Sequence, residues 1–446
     1  MSHTDLAIII LAAGKGTRMK STLHKVLHPL GGRPMLHHLM DTVDHLSPSR
    51  KVIVVGAGKE QVENSVGDEA EIVVQDPQLG TGHAVQVTKE QLQGFSGDVL
   101  ILYGDVPLLS EETLQQLLDQ RRSEQNPAVV VLGFEPNDTK AYGRLVVDDQ
   151  GGLKAIVEHK DATEEQRGIK LCNSGIMALD GAVMFDLLDS LDDNNAAQEF
   201  YLTDIVEIAK SKGLNCAVSV AKETEVIGVN SRSELAEAEA IFQTIKRQKF
   251  MDDGVTLLDP SSVYFSYDTK IGQDVVIEPH VFFAPGVSVE ENVTIRAFSH
   301  FEGAVIRKGA AVGPYARLRP KADVGENAKI GNFVEVKKST IEKGAKVSHL
   351  SYIGDAIVGA EANIGAGTIT CNYDGYNKSL TEIGKGAFIG SNTALVAPVK
   401  IGDGAIVGAG SVVTRTVTGD ALAVTRAPQK EINGWAATFR SKQIKK

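Results

Sequence analysis

The sequence has few cysteines, no long apolar run and no export signal, and each shortage argues against a class of protein. The three cysteines, Cys172, Cys216 and Cys371, are scattered and suggest neither a disulfide framework nor a zinc site. No run approaches the roughly 20 apolar residues of a membrane span. The N-terminus lacks a basic region and a small-residue cleavage site. We therefore expect a cytoplasmic protein with small buried or idle thiols and no membrane partner.

Positive charge and aromatic residues are also in short supply. Lys and Arg number 46 against 57 Asp and Glu, for a formal net charge of −11. This balance argues against a nucleic-acid partner and leaves phosphate binding to local clusters of cations and backbone N–H groups. Aromatic residues make up only 5% of the 446 residues, whereas glycine numbers 44. The core must therefore be aliphatic with many tight turns, in about two to four domains.

Residues 1–230 alternate short apolar runs with helical patterns. LAIIILAA and DVLILYGD are typical of buried parallel strands, and ETLQQLLDQRRSE is typical of an amphipathic helix. This alternation predicts βαβ units, and hence a Rossmann-like α/β domain with a mostly parallel sheet. A capping-box pattern at Ser231 and Glu234 then begins a helix that stops near Gly254, so that 231–254 is predicted to be a linker helix.

Residues 255–446 follow a different pattern, in which an apolar residue recurs every six positions. Examples are Ile271, Ile277 and Phe283, and glycine often follows the apolar residue directly. Five-residue spacings interrupt the series before three members: Ile306, Ile341 and Val358. A six-residue unit fits one short strand and one turn, and such units must stack to bury their apolar side chains. The pattern predicts a parallel β-helix with a C-terminal tail, and glycine at its corners explains the glycine excess.

A glycine-containing segment with two cations follows the first predicted strand. It reads LAAGKGTRM from Leu11 to Met19, and Lys25 lies seven residues after Arg18. Met19 stands where both the dinucleotide-binding and the P-loop patterns require glycine, so both are disfavoured. A flexible loop of small residues and cations suits a polyphosphate, although an ordinary βα turn would also account for the segment alone.

LAAGKGTRM with its downstream lysine resembles the sugar-1-phosphate nucleotidyltransferases. Other segments resemble the uridyltransferase branch of that family, namely Gln75, QLGTGHA (78–84), LYGDVPL (102–108), AYGR (141–144), IVEHKD (156–161), CNSG (172–175) and GVN (228–230). Together with the hexapeptide repeats, nearly the whole chain resembles the bifunctional N-acetylglucosamine-1-phosphate uridyltransferase / glucosamine-1-phosphate N-acetyltransferase family. The resemblance implies that the β-helix is left-handed.

For the first domain, the resemblance implies transfer of UMP from UTP to N-acetylglucosamine-1-phosphate with release of pyrophosphate. It implies that Asp105 and Asn230 hold Mg²⁺, with Arg18 and Lys25 as catalytic cations. The implied nucleotide- and sugar-binding residues are Leu11, Ala12, Ala13, Gly14, Lys25, Gln75, Gly80, Thr81, Tyr103, Gly104, Asp105, Gly143, Glu158, Asn173 and Asn230. Asp105 ends a predicted strand, where open α/β sheets bind ligands, and its carboxylate suits Mg²⁺. The sugar phosphate is already ionised near neutral pH, so no protein base is needed, and His83 is interpreted as a local packing or hydrogen-bonding residue.

In the second domain, polar residues depart from the aliphatic and glycine pattern, and residues 371–378 leave the repeat as a loop. The same resemblance implies that His349 is the base that allows glucosamine-1-phosphate to attack acetyl-CoA. It implies sugar-phosphate contacts from Arg319, Lys337, Tyr352 and Asn363, and acetyl-CoA contacts from Ala366, Asn372, Tyr373, Ser391, Ala409 and Arg426. Imidazole titrates at about pH 6.5, which suits proton transfer from an amine near neutral pH.

The resemblance further implies a homotrimer with sites between neighbouring β-helices. The product would be UDP-N-acetylglucosamine for bacterial peptidoglycan and lipopolysaccharide synthesis. Two other interpretations remain open from the residues: a nucleotidyltransferase for another sugar with a regulatory β-helix, and a β-helix that only supports oligomerisation. A set of polar residues on the coils argues against both, because a scaffold does not need them: Arg319, Lys337, His349, Tyr352 and Asn363.

Overall fold

The computed structural model describes residues 5–139, 142–149, 151–195 and 198–443. The chain divides into two compact units, Met1–Thr244 and Ile245–Lys446. The boundary between them falls within the long helix Arg232–Asp252. Each unit is described separately below.

The first unit is built on a mixed, mostly parallel sheet. From one edge to the other its strands are Cys216–Ala221, Val129–Phe134, Cys172–Asp180, Asp98–Tyr103, Leu6–Ala12, Arg50–Val55 and Glu71–Val74. Cys172–Asp180 is antiparallel to both neighbours, and the other pairs are parallel. A hairpin of Arg144–Val147 and Leu153–Val157 joins the antiparallel strand, and Pro29–Leu30 pairs with Arg33–Pro34.

Helices cover both faces of this sheet, because its central strands are apolar on both sides. The α-helices of this unit lie at Met35–Asp44, Lys59–Val66, Thr81–Gln86, Glu111–Arg121, Glu164–Arg167, Gly181–Leu188 and Ile205–Ser211. Side chains of Leu6–Ala12 alternate between two apolar clusters, with Ile8 and Ile10 in one and Ala7 and Ile9 in the other. The continuous apolar runs in the sequence therefore correspond to strands buried from both sides.

Gly31 allows the long helix Arg232–Asp252 to pack closely against the first unit. Gly31 has φ +54°, and a β-carbon there would lie 2.3 Å from the Phe242 ring. Its backbone N–H also donates to Glu239 Oε2 at 2.8 Å. A side chain at position 31 would strain the backbone and displace the Phe242 ring.

The second unit is a left-handed parallel β-helix whose coils form three flat faces. Face one consists of Thr256–Leu257, Val276–Ile277, Thr294–Ile295, Ala311–Val312, Lys329–Asn332, Lys346–His349, Asn363–Ile364, Phe388–Ile389, Ile406–Val407 and Leu422–Ala423. Face two consists of Tyr264–Phe265, Phe282–Phe283, His300–Phe301, Arg317–Leu318, Glu335–Lys337, Tyr352–Gly354, Ile369–Cys371, Ala394–Val396 and Val412–Val413. Face three consists of Lys270–Ile271, Ser288–Val289, Ala304–Ile306, Ala322–Val324, Ser339–Ile341, Ala356–Val358, Thr381–Ile383 and Val399–Ile401. A helix, Trp435–Gln443, follows the coils.

The apolar residues of the six-residue series point into the β-helix and form one continuous core. The three five-residue spacings, before Ile306, Ile341 and Val358, all lie at the corner between faces two and three. The loop between Cys371 and Thr381 leaves the coils at that same corner. The fold class predicted from the sequence is thus confirmed for both halves.

None of the helices that the structure describes has both the length and the apolar character required to cross a membrane.

Candidate active sites

The first candidate site is a cleft of about 1150 Å³ at the carboxyl ends of the parallel strands. It lies where strand order reverses around Leu6–Ala12, the usual ligand position in an open α/β sheet. The predicted site residues that line it are Leu11, Ala12, Ala13, Gly14, Lys25, Gln75, Gly80, Thr81, Tyr103 and Asp105. The cleft therefore collects residues from distant parts of the sequence, from Leu11 to Glu199.

Lys25 bridges two side chains from distant parts of the chain. Its Nζ lies 2.5 Å from Asp105 Oδ2 and 3.1 Å from Asn230 Oδ1. Lys25 and Asp105 are both largely buried, at 12% and 14% side-chain exposure. Asn230 itself is held by a bond from its backbone N–H to Glu234 Oε2 at 2.8 Å, at the start of the long helix. The Asp105 carboxylate and the Asn230 amide oxygen thus both contact the positively charged Lys25 ammonium.

Gln75 and the segment after it form the far wall of this cleft. Gln75 Nε2 donates to Gly80 O at 2.9 Å and lies 3.2 Å from His83 Nδ1. Gly80 has φ +112°, and a β-carbon there would lie 2.6 Å from Phe200 O. Burial lowers the pKa of His83, which keeps its ring neutral. The His83 ring thus contacts the Gln75 amide. This contact is consistent with the local hydrogen-bonding role expected for His83.

Three predicted sugar contacts come together beside Tyr103. Asn173 donates its backbone N–H to Gly143 O at 2.9 Å, and a β-carbon on Gly143 would lie 3.5 Å from Glu158 Oε1. Burial raises the pKa of Glu158, and the charge of Asp161 raises it further. Burial also raises the pKa of Tyr103, so its hydroxyl remains protonated at neutral pH. These groups form a polar wall that can donate and accept hydrogen bonds.

Six predicted residues are not among those that line the cleft: Arg18, Gly104, Gly143, Glu158, Asn173 and Asn230. Several lining residues were not predicted, among them Gln78 and Glu199. Arg18 is exposed on a short 3₁₀ helix, and Gly104 is buried, with its N–H bonded to Leu11 O at 3.0 Å. Gln78 donates to the Ala13 carbonyl, and Glu199 lines the cleft from a segment outside the helices and strands. Such segments have no hydrophobic period, so the sequence offered no signal for Glu199.

The second candidate site follows one corner of the β-helix, between faces one and two. Five residues occupy equivalent positions on successive coils: Asn332, His349, Ala366, Ser391 and Ala409. Successive coils in such a stack lie about 4.8 Å apart. The Arg426 guanidinium donates to Ala409 O at 2.7 Å. We call the five equivalent residues, without Arg426, the corner column. Four of them were predicted for the acetyltransferase site.

His349 is exposed, and its ring bonds to the coil below. His349 Nδ1 lies 2.9 Å from Asn332 Oδ1. The strands Lys329–Asn332 and Lys346–His349 are in register, so the parallel stacking places the two side chains next to each other. Asn363 lies on the next strand of the same face, opposite Lys346.

Cations gather at the end of face two that adjoins face three, the corner at which the loop after Cys371 leaves the coils. Arg319 Nη1 lies 2.9 Å from Glu335 Oε1, and Tyr352 pairs with Glu335 in the strand register. The pKa of Lys337 is lowered, first by the positive charge of Lys378 and then by that of Arg319. Three positive charges therefore lie close together, which favours a phosphate dianion. Lys378, on the loop, was not among the predicted site residues.

The loop after Cys371 is anchored by a buried carboxylate. Asn372 Nδ2 donates to Asp355 Oδ2 at 2.6 Å, and Lys338 Nζ lies 3.0 Å from Asp355 Oδ1. Burial by itself would raise the pKa of Asp355, but these hydrogen bonds hold it below its ordinary value. The Asn372 side chain thus fixes the loop, while Tyr373 beyond it is exposed.

The remaining sulfur and metal-ligating groups add no further centre. Cys172 and Cys216 are buried, Cys371 is partly exposed, and all three are free thiols. Burial raises the pKa of Cys216 to about 11. Within the described ranges, no group of three or more His, Cys, Asp or Glu side chains could hold a metal ion.

Comparisons with known proteins match both units. Residues 8–149 match the family described as MobA-like NTP transferase domain, 301–373 the GMPPB C-terminal domain, and 380–415 the bacterial transferase hexapeptide with six repeats. The chain is 58% identical over 446 residues to the "Bifunctional protein GlmU" of Paramagnetospirillum magneticum, covering 100% of this chain and 99% of the relative. It is 60% identical over 448 residues to the protein of the same name from Rhizorhabdus wittichii, with coverage of 100% and 99%. A crystal structure of UDP-glucose pyrophosphorylase complexed with UDP-glucose is 18% identical, has a TM-score of 0.45 and covers 54% of this chain and 99% of that one.

Proposed function

We infer the chemistry of each unit from one premise: the chain belongs to the bifunctional GlmU family, and is both a uridyltransferase and an acetyltransferase. The acetyltransferase reaction makes N-acetylglucosamine-1-phosphate from glucosamine-1-phosphate and acetyl-CoA. The uridyltransferase reaction joins that product to UMP from UTP and releases pyrophosphate. We assign the first cleft to the uridyl transfer, and the corner column to the acetyl transfer.

The contact of Lys25 with Asp105 and Asn230 carries the assignment of the first cleft. A cation already bridges the two oxygens, and a carboxylate and an amide oxygen are ligands that suit Mg²⁺. We propose that these two residues hold Mg²⁺, which when bound would neutralise phosphate charge. Lys25 would then be free to neutralise the departing pyrophosphate, with Arg18 reaching in from its exposed position.

Substrate recognition is proposed to use the cleft together with the polar groups beside Tyr103. The main chain from Leu11 to Gly14 approaches the phosphates closely, and Gln75, Gly80 and Thr81 contact the uridine. Gly143, Glu158 and Asn173 contact the sugar. The sugar phosphate oxygen is already ionised, so these residues need only align it for in-line attack on the α-phosphorus of UTP.

The corner column supports the assignment of the second site. We propose that His349 takes the proton from the attacking amine as the new amide bond forms, while the thiolate of CoA leaves and is protonated. Arg319, Lys337, Tyr352 and Asn363 are proposed to bind the sugar phosphate. An extended ligand along successive coils fits the linear acetyl-CoA, with contacts at Ala366, Asn372, Tyr373, Ser391, Ala409 and Arg426.

We further propose a cytoplasmic homotrimer, since the exposed corner column of one β-helix leaves room for a neighbouring copy to complete the site.

Two variants test the assignment, with free thiol and pyrophosphate measured separately. In the presence of all substrates and Mg²⁺, His349→Ala should lower thiol release by about 100-fold or more and leave pyrophosphate release from N-acetylglucosamine-1-phosphate unchanged. Asp105→Ala should lower pyrophosphate release by about 100-fold or more and spare thiol release.

The activity that each variant retains shows that the variant is folded. Normal thiol release in His349→Ala would contradict the assignment of the second site, and normal pyrophosphate release in Asp105→Ala that of the first. A wild-type protein without any thiol release would favour a nucleotidyltransferase with a regulatory β-helix.

A further inference from the structure

We propose that Asn332 is a positioning residue that holds His349 as the Nδ1–H tautomer, so that Nε2 is free to accept the proton of the amine. The inference builds on the proposed role of His349 as the base. It assigns a role to Asn332, which was not among the predicted site residues.

The β-helix fixes the relation between the two side chains. Asn332 and His349 end neighbouring parallel strands in register, and their side chains meet at 2.9 Å, from Oδ1 to Nδ1. The coil above offers Ala366 at the same position, which has no side-chain hydrogen-bonding group. The His349 carbonyl is bonded to this upper coil, through the Gly367 N–H at 3.3 Å. The ring is thus held from below by Asn332 and the backbone from above.

The chemistry of the amide decides which ring nitrogen carries the proton. An amide oxygen can only accept a hydrogen bond, so the proton between the two atoms belongs to Nδ1. In the neutral ring, Nε2 then keeps its lone pair. The other tautomer would carry the proton on Nε2 and could not accept one from the substrate. Asn332 therefore selects the reactive tautomer and orients the ring.

Charged groups on neighbouring strands lie around Asn332 and His349, and they remain in place when Asn332 is changed. Face one carries Lys346 on the strand of His349 and Lys329 on the strand below, whereas the coil 363–368 above carries no charged side chain. On the adjoining face two, the ionisable groups level with this pair and on the coils next to it are Arg317, Arg319, Glu335, Lys337 and Tyr352.

The first test removes the acceptor without changing the size of the side chain much. Asn332→Leu should lower kcat for thiol release by about 10-fold or more, because the ring loses its tautomer control, while KM for both substrates changes by less than about twofold. Thr340→Val on face three of the same coil is the matched control and should retain wild-type kcat.

The second test restores an acceptor that carries a charge. Asn332→Asp should recover most of the activity that the leucine variant loses. Its carboxylate stabilises the protonated imidazole, so the rise of kcat with pH should move to higher pH by up to about one unit. A residue that only supports the fold would produce no such shift.

Failure of this inference can be told apart from failure of the proposed function. Wild-type kcat in Asn332→Leu together with a loss in His349→Ala would overturn the role of Asn332 and leave His349 as the base. Normal thiol release in His349→Ala would overturn both. If Asn332→Leu melts at a lower temperature than Thr340→Val, the pH profile of Asn332→Asp decides, and an unshifted profile contradicts the inference.

Discussion

At the scale of single residues, the carboxylates near the first cleft differ in what surrounds them. Asp105 is paired with the Lys25 ammonium at 2.5 Å. Glu158 is raised in pKa by burial and then by the charge of Asp161. Because a raised pKa means protonation at a higher pH, Glu158 loses its charge earlier than an ordinary glutamate as the solution is acidified. Its ability to accept hydrogen bonds from a sugar falls with that charge.

We predict that KM for N-acetylglucosamine-1-phosphate rises as the pH falls through the raised pKa of Glu158. Glu158→Gln is neutral at every pH, so it should raise KM at pH 8 by about 10-fold, the typical loss of one hydrogen bond to a charged group. It should also flatten the dependence of KM on pH. Initial rates of pyrophosphate release at several pH values measure both effects.

The substrate phosphate also titrates, at about pH 6, so the informative quantity is the difference between the wild type and the variant. Glu164→Gln, an exposed carboxylate on the helix Glu164–Arg167, is the matched control and should follow the wild-type profile. If the Glu158→Gln profile also follows the wild type, Glu158 does not contact the sugar.

Single residues were predictable where a strand or a family motif fixed their position. Asp105 lies two residues after the apolar strand Asp98–Tyr103, so the sequence placed it at the correct edge of the sheet. Glu199 and Lys378 could not be found in this way, because each lies in an irregular segment whose path depends on packing. Asn332 was visible as a polar departure from the repeat, but its partner became clear only from the strand register.

At the scale of elements, the loop between Cys371 and Thr381 depends on one corner of the β-helix. Asp355 has φ +45° at that corner, and its buried carboxylate holds Asn372 and Lys338. The Asp355 carbonyl also accepts from the Thr381 N–H at 3.0 Å, where the chain rejoins face three. Both ends of the loop are therefore fixed by the same residue.

We predict that Asp355→Ala loosens this loop. The change leaves the Asn372 amide without its acceptor, which should cost about 1–3 kcal/mol locally. Trypsin should then cleave faster after Lys378, and KM for acetyl-CoA should rise while pyrophosphate release is unchanged. Mass spectrometry of the fragments and thiol-release kinetics measure the two effects.

Asp403→Ala is a matched control, because Asp403 accepts from the Lys385 N–H at 2.8 Å outside the loop. It should leave cleavage after Lys378 at the wild-type rate. Equal cleavage rates in Asp355→Ala and the wild type would mean that the loop is held by other contacts.

The regular part of the β-helix was predictable because burial requires an apolar side chain at a fixed interval. One inward position escaped the pattern: Thr370 is fully buried, and its hydroxyl donates to Gly354 O at 3.0 Å and accepts from Gly354 N–H at 2.8 Å. Its polarity is satisfied inside the coil, so the spacing continues through a residue that sequence analysis does not count as apolar. The five-residue spacings and the loop after Cys371 share one corner of the β-helix, and this too became clear only from the structure.

At the scale of the whole molecule, an exposed row of rings lies beside the corner column. We call it the aromatic ladder: His280, Phe298, Tyr315 and Phe333. Its rings stack at 4.9–5.1 Å between centroids. The three larger rings remain 46–55% exposed, and all four residues have positive φ. Aromatic residues are uncommon in this left-handed conformation, where asparagine or glycine fits without strain.

We predict that the aromatic ladder is covered by another copy of the chain in the proposed trimer. Burying the exposed half of one ring is worth about 1 kcal/mol, and a symmetric assembly repeats the contact in every copy. Replacing Phe298 and Phe333 together by asparagine retains a residue that tolerates positive φ and removes both rings. The double variant should dissociate at protein concentrations about 10-fold or more above those that dissociate the wild type, as measured by light scattering on a dilution series. Its β-helix should stay folded, because the rings lie outside the core.

The matched control is Phe388→Asn, which removes a ring that is 48% exposed on face one, outside the aromatic ladder. It should retain the wild-type mass over the same dilution series. The acetyltransferase measurement adds a second criterion, since a site shared between copies loses activity when the copies separate, whereas pyrophosphate release does not. An unchanged mass in the double variant at every concentration would show that the assembly uses a different surface. Loss of mass with full thiol release would show that one β-helix completes its own site.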